Sequence, residues 1–304
     1  MKKAMLFLLC TLGLPAAAFG AEGVTDPQSA YEGWRTARLA RLQKPDGWLT
    51  LVGFEWVEPG KHGVGSGKDN DIVLSVGPSK LGEIELDGKT LRFTLAEGVD
   101  GAIGKDGRRS AELITDVQAS EQPEGEPTLV RFGTASFFAI ERNGRYALRV
   151  RDSEAGTRKH FVGIENYPFD PAWRVEGQFQ RHAPGTTIEV ANVLGYLEPM
   201  QNSGVVTFEH GGRRYKLEAI DEGDGQLFLV FGDKTNRKET YGAGRFLYAE
   251  PPAQGSDTVT IDFNRSYNPP CVFTPYATCP LPPPGNRLDF AVTAGEKKYK
   301  GATH

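Results

Sequence analysis

Trp173-Arg-Val-Glu-Gly-Gln-Phe-Gln180 decides the fold class. Trp173, Val175 and Phe179 alternate with Arg174, Glu176, Gln178 and Gln180. A period of two places apolar side chains on one face of a strand and polar ones on the other. The same alternation runs outward in both directions. Tyr146, Leu148 and Val150 alternate with Ala147, Arg149 and Arg151, and Tyr215 and Leu217 with Arg214, Lys216 and Glu218. Within Trp48–Trp56, the spacing predicts that Trp48, Val52, Phe54 and Trp56 share a side. Asp87-Gly88, Asn143-Gly144 and Gly211-Gly212 are hairpin signals between such runs. Leu227–Phe231 is continuously apolar and predicts a central strand buried on both faces. The chain is expected to be all-β after a single N-terminal helix.

That helix is predicted from an N-cap at Asp26, a proline at Pro27 and an apolar stripe of Tyr31, Trp34, Leu39 and Leu42. Arg35, Arg38, Arg41 and Lys44 are read as its solvated side, and Pro45-Asp-Gly47 as its stop. Residues 21–46 are thus assigned to the helix and 47–120 to a small β-sandwich. Ser120-Glu-Gln-Pro-Glu-Gly-Glu-Pro127 breaks the alternation. Residues 128–304 are then expected to form a larger antiparallel sheet or barrel, closed by a proline-rich loop.

Residues 1–20 read as a secretory leader. Lys2 and Lys3 precede the apolar run Ala4–Leu14, and Ala18-Phe-Gly20 presents small residues for cleavage. The run is too short for a membrane span, and Leu9 disfavours a lipoprotein site at Cys10. The expected product is exported to the periplasm or beyond, and is not an integral membrane protein. Loss of two lysines and no acids moves the net charge from −4 to −6. A mildly acidic chain without a basic block argues against nucleic acid as a partner.

Cys271 and Cys279 remain as an even pair, expected to form a disulfide in an oxidising compartment. Such a short loop contributes roughly 2–3 kcal/mol in the chain-entropy model. A free pair or a metal site stays open as an alternative, although the spacing is not that of a zinc knuckle. No cofactor or metal site is predicted.

The chemistry-bearing stretch is Asp262–Asn286, rich in proline and too long for an ordinary loop. Tyr267, Phe273 and Tyr276 want packing partners, so an ordered loop is expected. Thr258, Thr260, Asp262 and Asn264 fall on one face of the strand that leads into it. If the strand beginning at Arg245 is its neighbour, Arg245, Asp262, Asn264, Arg265, Tyr267 and Asn268 converge with Tyr241 beneath the loop. One reading is a buried Arg245–Asp262 ion pair that holds the loop. The other is a pocket floor for a small polar or anionic ligand. Glu239 and Asp262 would serve as acid and base in a hydrolase, a glycosidase among them, if their separation fits. A third reading is a scaffold that meets a partner protein. His160 is the one histidine retained as a candidate acid or base. Gly60-Lys-His-Gly-Val-Gly-Ser-Gly67 lacks the following helix that a phosphate cradle needs.

Val64-Gly65 followed by Asn70-Asp-Ile-Val-Leu74 resembles the opening of forkhead-associated domains, which are β-sandwiches. Ser66 stands where their arginine is expected, so the resemblance implies a fold and not phosphothreonine binding. Gly47-Trp-Leu-Thr-Leu-Val-Gly-Phe-Glu-Trp56, Glu239-Thr-Tyr-Gly-Ala-Gly-Arg-Phe-Leu247 and Asp262–Asn286 together resemble the domain-of-unknown-function family numbered 1684. The resemblance runs from about Tyr31 to Tyr299. It implies a largely bacterial, often exported family without an established activity.

Overall fold

Three sheets, antiparallel in every strand pairing but one, carry the described residues, 26–120 and 125–301, of the computed structural model. The predicted leader and part of the 119–127 segment lie outside those residues.

The helix spans Pro27–Leu42, and the Asp26 carboxylate accepts the Ser29 amide at 3.1 Å. Tyr31 and Leu42 are buried as expected. Arg38 is a correction: it is 6% exposed instead of solvated. Its position explains this, because Trp34, Arg38 and Leu42 follow one another at i, i+4 on the packing stripe. Its guanidinium donates to Glu296 Oε1 at 3.2 Å and to the Asn268 carbonyl at 2.9 Å.

Two five-stranded sheets form the first sandwich. One runs in the order Leu51–Val57, Arg145–Asp152, Ala135–Arg142, Val130–Phe132, Ala102–Ile103. The other runs Ile72–Val73, Gly60–Gly65, Gly82–Asp87, Thr90–Leu95, Ser110–Glu112. Val57, Ile84, Phe93, Phe137, Leu148 and Val150 share their core, with Phe93 edge-on to Phe137 at 5.1 Å. The sandwich therefore continues past the 119–127 segment to Asp152. The reason is Tyr146, Leu148 and Val150, whose alternation fills this core and not a later one. Asn143 and Gly144, at φ 51° and 69°, make the tight turn before that strand. Phe54 and Trp56 do not face this core. They pack with Phe138 and Ala147 on the outer face, beyond a register shift between Leu51 and Gly53. A bulge of this kind re-aims the side chains that follow it. Trp48 precedes the strand in a short 3₁₀ turn.

The second unit is a sheet in the order Arg245–Ala249, Leu227–Phe231, Arg213–Ile220, Leu197–His210, Arg174–Arg181, Thr258–Asp262, with Thr187–Ala191 added on Leu197–His210. Leu227–Phe231 is buried throughout, as its apolar run predicts. Leu227, Leu229 and Phe231 enter one core with Trp173, Phe179 and Ile261, while Phe228 and Val230 enter another with Ala277 and Cys279 of the loop. The expected adjacency of the Arg245 and Asp262 strands is not made through the sheet, because they are its two opposite edges. The edges approach each other instead beyond Asp262, where the Phe246 amide donates to the Tyr267 carbonyl at 2.9 Å and the Phe246 carbonyl accepts from the Tyr267 amide at 2.8 Å. In register, Asp262 faces Arg174.

The proline-rich loop is ordered by short 3₁₀ turns and by packing. Val272 and Phe273 lie against Leu42 and Leu49. Asn286, wholly buried, donates to the carbonyls of Glu218 at 3.0 Å and Val230 at 2.9 Å. These bonds satisfy backbone groups that an irregular segment would otherwise leave unpaired.

Candidate functional site

The even side chains of Arg145–Asp152 fill the sandwich core, so the odd ones, Arg145, Ala147, Arg149 and Arg151, project from its back. The second sheet and the loop lie against that back, and a cleft of about 1110 Å³ remains between them. Its other walls are the C-terminal half of the helix, the strands Arg245–Ala249 and Thr258–Asp262, and loop residues Pro270 and Thr278–Pro280. Seven arginines and one lysine line it, against five carboxylates. The chain as a whole carries −4, so this concavity concentrates the minority sign and favours anions.

Arg149 is the most confined of these cations, at 5% exposed. One Nη donates to Thr278 Oγ1 at 3.2 Å, and the guanidinium lies over the Trp48 ring at 5.5 Å. Among the described residues no carboxylate reaches it within ion-pair distance, and its Nε has no hydrogen-bond partner. Desolvation, followed by the neighbouring charges of Arg142 and Arg151, pulls it down to about 10. Arg151 lies over Phe138 at 4.7 Å, and its Nε is likewise unpartnered. Burial lowers it too, with Asp46 opposing. Arg142 differs, because Asp116 neutralises it at 2.6 Å.

Beside the arginines runs an aromatic wall. Tyr248 stacks on Phe228 at 4.8 Å and on Tyr267 at 6.3 Å, and Trp34 stands 6.5 Å from Tyr267. Arg38 caps the Tyr267 ring at 4.5 Å, and the Tyr248 hydroxyl donates to Glu222.

The residues expected to converge separate into two groups. Asp262, Arg265 and Tyr267 line the cleft. Asp262 is paired with Arg174 and Arg265, each at 3.5 Å, and not with Arg245. Arg245 is fully buried elsewhere, donating to Asp233 Oδ2 and the Val292 carbonyl at 2.8 Å, and to the Ala294 carbonyl. Asn264 bonds both backbone groups of Asp170, and Asn268 bonds Glu296 and the Lys297 carbonyl. Both are buried parts of the loop framework and make no part of the cleft wall. Tyr241 packs near Val272 and Phe273, and burial with the adjoining thiols pushes its phenol up. Glu239 is exposed beside Tyr167, outside the cleft, so the proposed acid–base pair shares no cavity. His160 caps the short helix Gly156–Lys159, exposed and also outside the cleft.

Cys271 and Cys279 stand as free cysteines, so the expected bond is absent from the structure. They nevertheless adjoin, with the Cys271 amide 3.2 Å from Cys279 Sγ. Hydrogen bonding from the Cys279 thiol lowers Cys271, and the same contact with burial raises Cys279. Among the described residues no group of three or more His, Cys, Asp or Glu could hold a metal, and no helix is long and apolar enough to cross a membrane.

Sequence reasoning missed Arg149, Arg151, Thr278 and Asp233. The signal was a pair of arginines two residues apart on a half-apolar strand, which the alternation assigns only to the face away from the core.

A family model described as "Protein of unknown function (DUF1684)" matches residues 159–297. That stretch holds the Glu239–Leu247 motif and Asp262–Asn286, while Gly47–Trp56 lies outside it. No curated protein matches. Among solved structures, the chain is similar to the solution NMR structure of the uncharacterized protein from gene locus rrnAC0354 of Haloarcula marismortui. The two are 32% identical over 46% of this chain and 78% of that one, with a TM-score of 0.39. The forkhead-associated likeness is not confirmed.

Proposed function

The chain belongs to the DUF1684 family of proteins of unknown function, and from its own residues we propose that it is a binding module for a small anionic ligand held beneath the proline-rich loop. Arg149 carries this reading. A buried guanidinium without a carboxylate is costly, by several kcal/mol for an uncompensated charge, a cost that an uncharged side chain would avoid. An anion bound beside it would neutralise the charge and offset that cost. The Nε atoms of Arg149 and Arg151 are buried without a partner, so neither guanidinium is satisfied by the protein itself, and an anion in the cleft would meet their charge. Export, read from residues 1–20, belongs to the same proposal and would place the cleft in the periplasm or outside the cell.

Calorimetric titration of phosphate, sulfate, acetate and citrate into the protein and into Arg149→Leu tests the reading. At least one anion should bind, with affinity reduced tenfold or more in the variant. Absence of binding, or equal binding by a folded Arg149→Leu protein, would overturn it.

A further inference from the structure

We propose that the anion is the phosphoryl group of a ring-bearing organic phosphate, its charges met by Arg149 and Arg151 and its ring laid on the wall of Trp34, Tyr248 and Tyr267. This rests on the anion-binding reading above and specifies the ligand for the same cleft.

The charge count comes first. Arg149 and Arg151 are two residues apart on one strand face, about 7 Å along the backbone, and neither has a carboxylate within ion-pair distance among the described residues. A single carboxylate would leave one of the two charges uncompensated. A phosphoryl group carries close to two charges and three acceptor oxygens at neutral pH, enough to engage both guanidiniums. Thr278 Oγ1, already 3.2 Å from Arg149, adds a hydroxyl at the same end.

Size and lining supply the ring. The cleft, at about 1110 Å³, lies above the roughly 300–1,000 Å³ of ordinary ligand pockets and has room for far more than inorganic phosphate. Trp48, under Arg149, packs against the same buried apolar cluster as Tyr248 and Tyr267, so one cluster underlies both the arginine end and the aromatic wall. Tyr248 and Tyr267 lie 18° from parallel, and the Tyr248 hydroxyl is already committed to Glu222. Phe228 covers one face of Tyr248 and Arg38 lies over the Tyr267 ring, so what the wall offers is the ring surface these contacts leave beside Trp34, against which a planar or ring-shaped body can pack.

Calorimetry with three probes at about pH 8, where both phosphates are dianions, separates the parts: phenyl phosphate, inorganic phosphate (same charge, no ring) and benzoate (same ring, one charge). Phenyl phosphate should bind roughly tenfold tighter than either. Its affinity should climb as pH rises through about 6, where its second proton leaves. Trp34→Ala should remove several-fold of the advantage over inorganic phosphate without changing inorganic phosphate itself. Circular dichroism confirms that each variant is folded. Phenyl phosphate no tighter than inorganic phosphate would overturn the ring and leave anion binding standing. Benzoate equal to phenyl phosphate would overturn the phosphoryl group. Failure of all three probes, with failure of the wider anion panel, would overturn this inference and the anion reading together.

Discussion

Arg149 and Thr278, 129 residues apart in the chain, meet at 3.2 Å across the cleft. Through this bond the first sandwich holds the proline-rich loop at the point where the ligand is proposed to sit. Thr278→Val keeps the volume and removes the acceptor. It should cost about 1 kcal/mol of stability in urea denaturation, yet lower anion affinity more than its stability effect predicts, because Arg149 loses its hydrogen bond to the loop and keeps only the Trp48 ring beside it among the described residues. Unchanged affinity would show that the burial of Arg149 alone fixes its position.

Arg149→Leu should leave the ligand-free protein as stable as the parent, or more stable by about 1–4 kcal/mol. Replacing an unpaired buried charge by an apolar side chain removes a desolvation cost of several kcal/mol, which outweighs the roughly 1 kcal/mol lost with the Thr278 hydrogen bond. Equilibrium denaturation in ligand-free buffer reads this directly. A loss of several kcal/mol would mean that the guanidinium is structural and that its value to the protein is not in binding.

The contrast between Arg149 and Arg245 shows where a sequence stops being informative. The alternation in Trp173–Gln180 and the apolar run Leu227–Phe231 are local, and both appear in the structure as read. The Asp262–Asn286 loop is likewise legible as ordered, since its aromatic residues and prolines have no use in a solvated tail. Which carboxylate meets which arginine is a different matter. Arg245 sits twelve residues from Asp233 and pairs with it, but the proximity of the Asp262 strand depends on sheet order. Arg38 looked solvated by composition, and only Glu296, 258 residues away, makes its burial intelligible. The isolation of Arg149 is the hardest feature to see, because a missing partner leaves no motif.

Arg245→Ala should be severely destabilising, by about 3–5 kcal/mol, because it leaves Asp233 buried and unpaired. Asp262→Asn should cost only about 1 kcal/mol. Its arginine partners are a third exposed, and the amide can still accept from Asn264. Chemical denaturation of the two variants side by side checks the order. Equal losses would refute the assignment of Arg245 to the framework and Asp262 to the cleft wall.

Cys271 and Cys279 should behave as two distinct thiols that join readily. Cys271 is half-buried, and hydrogen bonds from the Cys279 thiol and the Tyr241 hydroxyl favour its thiolate. Cys279 is buried and shifted the other way. Iodoacetamide on the reduced, folded protein should therefore add once, at Cys271, with a pH midpoint below that of an ordinary thiol near 8.5. The sense follows from the ionisation: a lowered thiol is already thiolate, and reactive, at a pH where a free cysteine is still protonated. Diamide should then close the pair within one chain, taking up the two thiol hydrogens. Closure should raise stability by roughly 2–3 kcal/mol through the short loop, and mass spectra without reduction should show no adduct. Two adducts on diamide-treated protein, or preferential labelling of Cys279, would sink the geometry drawn for this pair.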